Sequence, residues 1–456
     1  MCAVAKGHAQ LPCVLGVLGA GTQRPTTHGT PPLLPAPTPQ RTCISDPGNA
    51  PAATVAAADA LAAAAAVDQA RQNAEALIWT GPLNGNPRRL PWASGEATID
   101  STKRVNTAGG VNGAPERTVD CAVVTLTGSA AFAAAAVGAG QACVLPDGRT
   151  VVRMLSAVKT VTATLPEFES LLLRSCCATD LSLLPTVKQM AQELEAYDKT
   201  TQRAVDVHGA PMAQHCFLQL YGWQLLYIGG DTYVLRSYWE WQSNGSLRDY
   251  LIRCLEHTNH GVGRALVVSA LEEVLQLLHM LSCSGIVLGD LKLDNMLVDA
   301  HGRVKLSDVD GAGLVDADVM RIVRDTALRA AAQAAAACLD PGAAAAAVWH
   351  AADQLFCQEK PYMVTDAYVP FEMRVYGRMC CASHQHLLGA SLGQLLGELQ
   401  PVLLALPGRV ACWGFVTELR GLAAGLQTPA HTARPSLHSV CAHLTAIGAR
   451  WAAVCC

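Results

Sequence analysis

Residues 284–313 read SGIVLGDLKLDNMLVDAHGRVKLSDVDGAG, and the reading of this stretch decides the fold. Asp290, Lys292 and Asn295 fall within one short loop, and Asp308 follows a turn at His301-Gly302. Their chemistry is complementary. A carboxylate such as Asp290 orients an attacking hydroxyl. An ammonium two residues on, such as Lys292, can neutralise charge on a transferring phosphoryl group. An amide oxygen such as that of Asn295 and a second carboxylate such as Asp308 are hard donors that can hold magnesium against nucleotide phosphates. The flanks suit such a loop. MLVD (296–299) and VKLSDV (304–309) have the pattern of two short strands joined by DAHG, with a helical segment ahead of them.

The composition narrows the rest. The chain has 456 residues, enough for two or three domains. Hydrophobic residues make up 51% but aromatics only 5%, because alanine supplies much of the excess. The net charge is −4 and the pI about 6.4, which gives no basic footprint for nucleic acid. The sequence shows no run of 18 strongly apolar residues, so no membrane span is expected. The 18 cysteines include adjacent pairs and no paired C-x-x-C, which points to reduced thiols in the cytoplasm. The first 45 residues carry Lys6, Arg24 and Arg41 with no acid, a pattern shared by organellar transit peptides and low-complexity tails.

Residues 1–117 read as a low-complexity region: disordered to about 50, an Ala-rich helix over 52–78, then loops rich in Gly, Pro and Asn. From 118 the pattern changes to strands. CAVVTLTG (121–128), QACVL (141–145) and RTVVRML (149–155) are β-branched, and Pro146-Asp147-Gly148 is a hairpin turn. Residues 182–198 read as an amphipathic helix with Pro185 in its first turn. Residues 262–283 form a long apolar helix leading into the Asp290 loop. Within 312–364 the runs RAAAQAAAA and PGAAAAAVWHAA predict one or two inserted helices.

The stretch 288–310 resembles the catalytic and metal-binding loops of eukaryotic-type protein kinases. That family reads H-R-D-L-K-x-x-N and then D-F-G, where this chain has Leu288-Gly289-Asp290-Leu291-Lys292-Leu293-Asp294-Asn295 and Asp308-Val309-Asp310. Three further segments follow in the family's order. CFLQLYGWQLLYIGGDTYVLRSYWEWQSNGSLRDYLI (216–252) is similar to two strands, the hinge and the next helix. TDAYVPFEM (365–373) is similar to the A-P-E region, and TARPSLHSV (432–440) to the R-P-S/T start of the last helix. His384 stands where the central helix of the family begins with Asp.

The resemblance implies an α+β, two-lobed fold, with a small antiparallel lobe at 118–242 and a large helical lobe at 243–456 that carries the insertion near 312–364. It implies ATP and Mg2+ as cofactors. The backbone from Glu240 to Gln242 would face the adenine, with Trp239 behind it, and Glu372 would pair with Arg434. Two threadings of the small lobe compete. In one, Gly138-Ala139-Gly140 covers the phosphates and Lys159 contacts them, a separation of 159 − 138 = 21 residues. In the other, Gly128 to Phe132 is the loop and Arg153 takes the lysine's place. The first is preferred, because a branched guanidinium does not replace a slim ammonium at such a site. Glu193, with Glu195 as the alternative, would pair with the lysine.

The expected function is therefore transfer of the ATP γ-phosphate to Ser or Thr of a protein substrate, with Asp290 and Lys292 catalytic and Asn295 and Asp308 on the metal. No nucleic-acid or membrane partner is expected. A pseudokinase that binds nucleotide or acts as a scaffold is the alternative, favoured by the altered glycines and by Asp310 in place of Gly. A small-molecule kinase is a third possibility. Gly289-Asp290 suits it, and the Glu372 and Arg434 segments oppose it.

Overall fold

Alternating β-branched and small residues over 116–128 and 150–164 favour extended chain, and these two segments form the longest ladder in the molecule. The computed structural model describes residues 76–79, 96–108, 116–128, 140–148, 150–175, 185–256, 261–358, 365–405 and 409–453. Within them the fold is α+β, with one large antiparallel sheet, two short ribbons and eleven α-helices.

The sheet has seven strands. Six follow the order β1 (Ala76–Trp79), β6 (Leu220–Gly229), β7 (Thr232–Glu240), β5 (Thr150–Thr164), β3 (Glu116–Gly128) and β2 (Glu96–Ala108), and β4 (Gly140–Val144) pairs with β5. Pro146-Asp147-Gly148 turns β4 into β5, with Gly148 at φ +82° and its N–H on Leu145 O. The sheet therefore begins well before residue 118. Residues 96–108, expected as loops, are a strand, and so are 76–79, expected as the end of the Ala-rich helix; the rest of that helix lies outside the described residues. β2 is an edge strand whose sequence EATIDSTKRVNTA is mostly polar, so it lacks the apolar alternation of a central strand.

Helix α1 (Glu167–Ser175) follows β5, and α2 (Pro185–His208) packs on the sheet face that carries Ala157, burying Val187, Met190, Ala191, Leu194 and Tyr197. The opposite face holds a smaller core of Val124, Leu126, Val152, Met154, Val158 and Tyr238. After the short α3 (Ala210–Cys216) and the β6–β7 hairpin, the chain becomes mainly helical: α4 (Leu247–Glu256), α5 (Gly261–Ser284), α6 (Ala317–Ala336), α7 (Pro341–Ala352), α8 (Phe371–Tyr376), α9 (Ala382–Ala405), α10 (Arg409–Leu426) and α11 (Leu437–Ala453). One core runs continuously from the α2 side of the sheet through α5 and α9. By length and composition alone, Val262–Ser284 is long and apolar enough to cross a membrane. In this fold 67% of its most apolar window is buried against the protein itself.

The Ala-rich insertion forms α6 and α7, which pack on each other. Each begins on an aspartate cap. Asp316 accepts from Asp318 N and Val319 N, and Asp340 accepts from Gly342 N with Pro341 following.

Candidate functional site

Two short ribbons bracket the Asp290 loop. β8 (Ile286–Val287) pairs with β11 (Gly313–Leu314), and β9 (Met296–Val298) pairs with β10 (Val304–Leu306). The loop between β8 and β9 thus lies beside the loop between β10 and β11, which carries Asp308. Helix α9 holds the first loop from below. His384 Nε2 accepts from Leu288 N at 2.8 Å, and Ser391 Oγ accepts from Leu293 N at 3.1 Å. An imidazole accepts only through an unprotonated nitrogen, and burial pushes His384 down to about 3, which keeps it neutral.

Asp290 is the hub of the loop. Its Oδ2 accepts from Lys292 Nζ at 2.7 Å and from Asn295 Nδ2 at 3.1 Å. Its Oδ1 accepts from Thr365 Oγ1 at 2.5 Å and from Thr365 N at 3.2 Å. Lys292 also donates to Thr365 Oγ1 at 3.1 Å. Burial alone would raise the Asp290 carboxyl. The bonds from Lys292, Thr365 and Asn295 outweigh it and hold the group below its ordinary value, so it is a carboxylate at neutral pH.

The Asn295 amide nitrogen is committed to Asp290, bonding its backbone oxygen at 2.9 Å as well as its carboxylate. The Asn295 side-chain oxygen is then the atom left for a cation. Ser307 N donates to Asn295 O at 3.0 Å, which fixes Asn295 against the Asp308 loop. Asn295 and Asp308 each carry a hard oxygen of the kind magnesium takes. Among the described residues no group of three or more His, Cys, Asp or Glu is placed to hold a metal ion. Magnesium at these two residues would complete its shell from phosphate and water, as that ion commonly does.

Above the loop, Lys159 of β5 forms an ion pair with Glu193 of α2 and donates to Ser307 O at 3.2 Å. Its Nζ also lies 5.1 Å from the ring centroid of Trp239. Burial opposes its charge, but Glu193 and then Asp308 outweigh it and raise the Lys159 pKa. Arg153 lies six residues earlier on the same strand and is exposed.

Of the glycines expected over the phosphates, Gly138 lies outside the described residues and Gly140 is not beside Lys159. Gly140 opens β4 opposite Met154, five positions before Lys159, or about 16 Å at strand rise. Gly128, from the other threading, pairs with Thr150 and is farther still. The strand alongside Lys159 is β3, with Val119 as its partner, and β3 follows β2 through residues 109–115, which lie outside the described residues. The sheet begins two strands, β1 and β2, earlier than the sequence reading placed it.

At the end of β7 Trp239 is buried, edge-on to Tyr197 at 4.9 Å. Glu240 accepts from Lys305 Nζ at 2.9 and 2.7 Å and from Gln219 N at 3.1 Å, joining the end of β7 to β10. Gln242 is buried, and its backbone oxygen accepts from Gly245 N at 3.2 Å. Sequence reasoning passed over Thr365, Lys305 and the role of His384. Thr365 begins the TDAYVPFEM segment, but its contact with Asp290 spans 75 residues and leaves no local pattern. Farther off, Arg434 donates to both Glu372 oxygens at 2.7 and 2.8 Å, and neither side chain is exposed. No family model matches the chain, and no curated protein matches it.

Proposed function

We propose that the chain is a two-lobed, protein kinase-like protein that transfers the γ-phosphate of Mg-ATP to Ser or Thr of a protein substrate. The observation that carries this reading is the network in which one carboxylate, Asp290, joins Lys292, Asn295 and a threonine hydroxyl, with Ser307 bonded both to Asn295 O and to Lys159 of the Lys159–Glu193 pair. In this reading Asp290 orients the substrate hydroxyl and receives its proton. Lys292 meets the γ-phosphate, and Lys159, steadied by Glu193, meets the phosphates nearer the nucleoside. Magnesium would supply charge neutralisation at the phosphates, held by Asn295 and Asp308. Thr365 holds Asp290 and Lys292 in register. Such positioning accounts for most of the rate in phosphoryl transfer. The Glu372–Arg434 pair in the matching segments supports a protein substrate over a small molecule.

A nucleotide-binding pseudokinase is the second reading. It is favoured by β3, whose backbone beside Lys159 is paired on both edges, with β2 and β5, and so offers few amides to a phosphate.

The test is phosphoryl transfer from labelled Mg-ATP by the full chain, to itself and to a mixed protein substrate, with nucleotide binding measured in parallel. Asp290→Asn is expected to lower transfer by about 10²–10⁴ and leave nucleotide affinity nearly unchanged. Binding without transfer in the wild type would support the pseudokinase. Failure of Mg-ATP to bind or to raise the unfolding midpoint would remove both readings.

A further inference from the structure

Two cations descend from one face of the sheet onto one loop. Val119 pairs with Lys159 and Arg117 with Val161, and positions two apart share a face, so Arg117 and Lys159 point the same way. Lys159 reaches Ser307 O, and Arg117 Nη1 reaches Asp310 Oδ2 at 3.4 Å. Asp310 is buried, with 4% of its side chain exposed against 36% for Arg117. Its other oxygen, Oδ1, has no hydrogen-bond partner. Besides a backbone hydrogen bond from Gly311, this buried carboxylate has one long ionic contact and an Oδ1 without a partner, and it is incompletely satisfied, since charge-assisted bonds close to about 2.7–2.9 Å. The backbone of Arg117 is committed to ladders with Ala108 and Val161. What this strand presents to the cleft is its side chain.

We infer that Arg117 and Asp310 form a displaceable pair that Mg-nucleotide splits, the phosphates taking Arg117 and the metal taking Asp310. The inference rests on the reading of this cleft as a Mg-nucleotide site. The exchange is matched in charge. Moving Arg117 to phosphate alone would strand Asp310 as a buried anion, and moving a cation to Asp310 alone would leave Arg117 without a partner. Mg-nucleotide brings both replacements at once. Arg117 then does with a guanidinium fork what glycine-rich loops do with backbone amides.

Isothermal titration of the full chain with Mg-ATP, with ATP in EDTA and with adenosine tests the inference. Arg117→Ala is expected to weaken Mg-ATP binding by about tenfold or more, the scale of one charge-assisted contact, while adenosine binds as before. Arg117→Gln keeps most of the stem, removes the charge, and is read in the same way, with unliganded unfolding midpoints checking the fold of each. Asp310→Asn is expected to tighten ATP binding in EDTA, because Arg117 is released, and to shrink the gain from magnesium. Mg-ATP affinity unchanged or improved in both Arg117 variants would overturn the inference and leave the pair as a latch across the cleft. A wild type that does not bind Mg-ATP, with an Arg117 variant that does, would also overturn it while keeping the nucleotide site. Silence from every variant would remove the nucleotide reading itself.

Discussion

Single buried atoms decide how firmly this site is held. His384 stands where the resemblance leads one to expect an aspartate, and it does an acceptor's work without a charge, through Nε2 on Leu288 N. His384→Ala would leave that buried N–H without a partner. We expect a loss of about 1–3 kcal/mol in urea unfolding, and wild-type stability in the variant would show that the contact carries no weight. The Glu372–Arg434 pair stands on firmer ground. Burial alone would raise the Glu372 carboxyl, but Arg434 and the Ser383 hydroxyl hold it below its usual value. Arg434 also donates to Ala382 O and Thr428 O. Arg434→Met strands a buried carboxylate and is expected to cost about 3–5 kcal/mol. A loss below about 1 kcal/mol in the same unfolding measurement would contradict the pair's structural role.

At the scale of elements, alanine-rich helices need their ends fixed, because alanine buries little area. Asp316 does this for α6, with bonds to Asp318 N and Val319 N and a further contact from Gln358 Nε2. Asp316→Ala should lower the unfolding midpoint and raise amide exchange in the first turn of α6. Unchanged exchange there would refute the cap. The alanine runs of both helices were legible in the sequence, and the aspartate caps were found only in the structure. Strand β2 was not legible, because an edge strand with a polar composition reads like loop.

Across the whole molecule, buried titratable groups set opposing pH dependences. Burial lowers His384 to about 3 and His279 to about 4. Between those values and the ordinary histidine range the unfolded chain binds protons that the folded one refuses, so their contribution is lost as pH falls below about 6.5. Burial raises Asp353 to about 7, against a hydrogen bond from Ser282 that lowers it. Its contribution is complete at low pH and is lost as pH rises from about 4 through 7. Asp353→Asn removes that second dependence. The variant's unfolding midpoint relative to wild type should therefore be higher at pH 8 than at pH 5. Equal differences at the two pH values would refute the assignment.

The sequence by itself determined the gathering of Asp290, Lys292 and Asn295 in one loop, the hairpins at Gly148 and Gly302, the α2 helix with Glu193, and the inserted Ala-rich helices. All of these follow from residue type at short spacing, through turn conformation, periodicity and the proximity of neighbours in one loop. Only the tertiary structure decided which strand lies beside Lys159, and it put Gly140 opposite Met154 and β2 into the sheet. It also brought Thr365 to Asp290, Lys305 to Glu240 and Arg117 to Asp310. Each of those contacts joins residues at least 65 apart, and their geometry is set by how sheet and helices pack on a shared core. These three contacts have no local signature in the chain, whereas the long-range pairs Lys159–Glu193 and Glu372–Arg434 were anticipated through the resemblance.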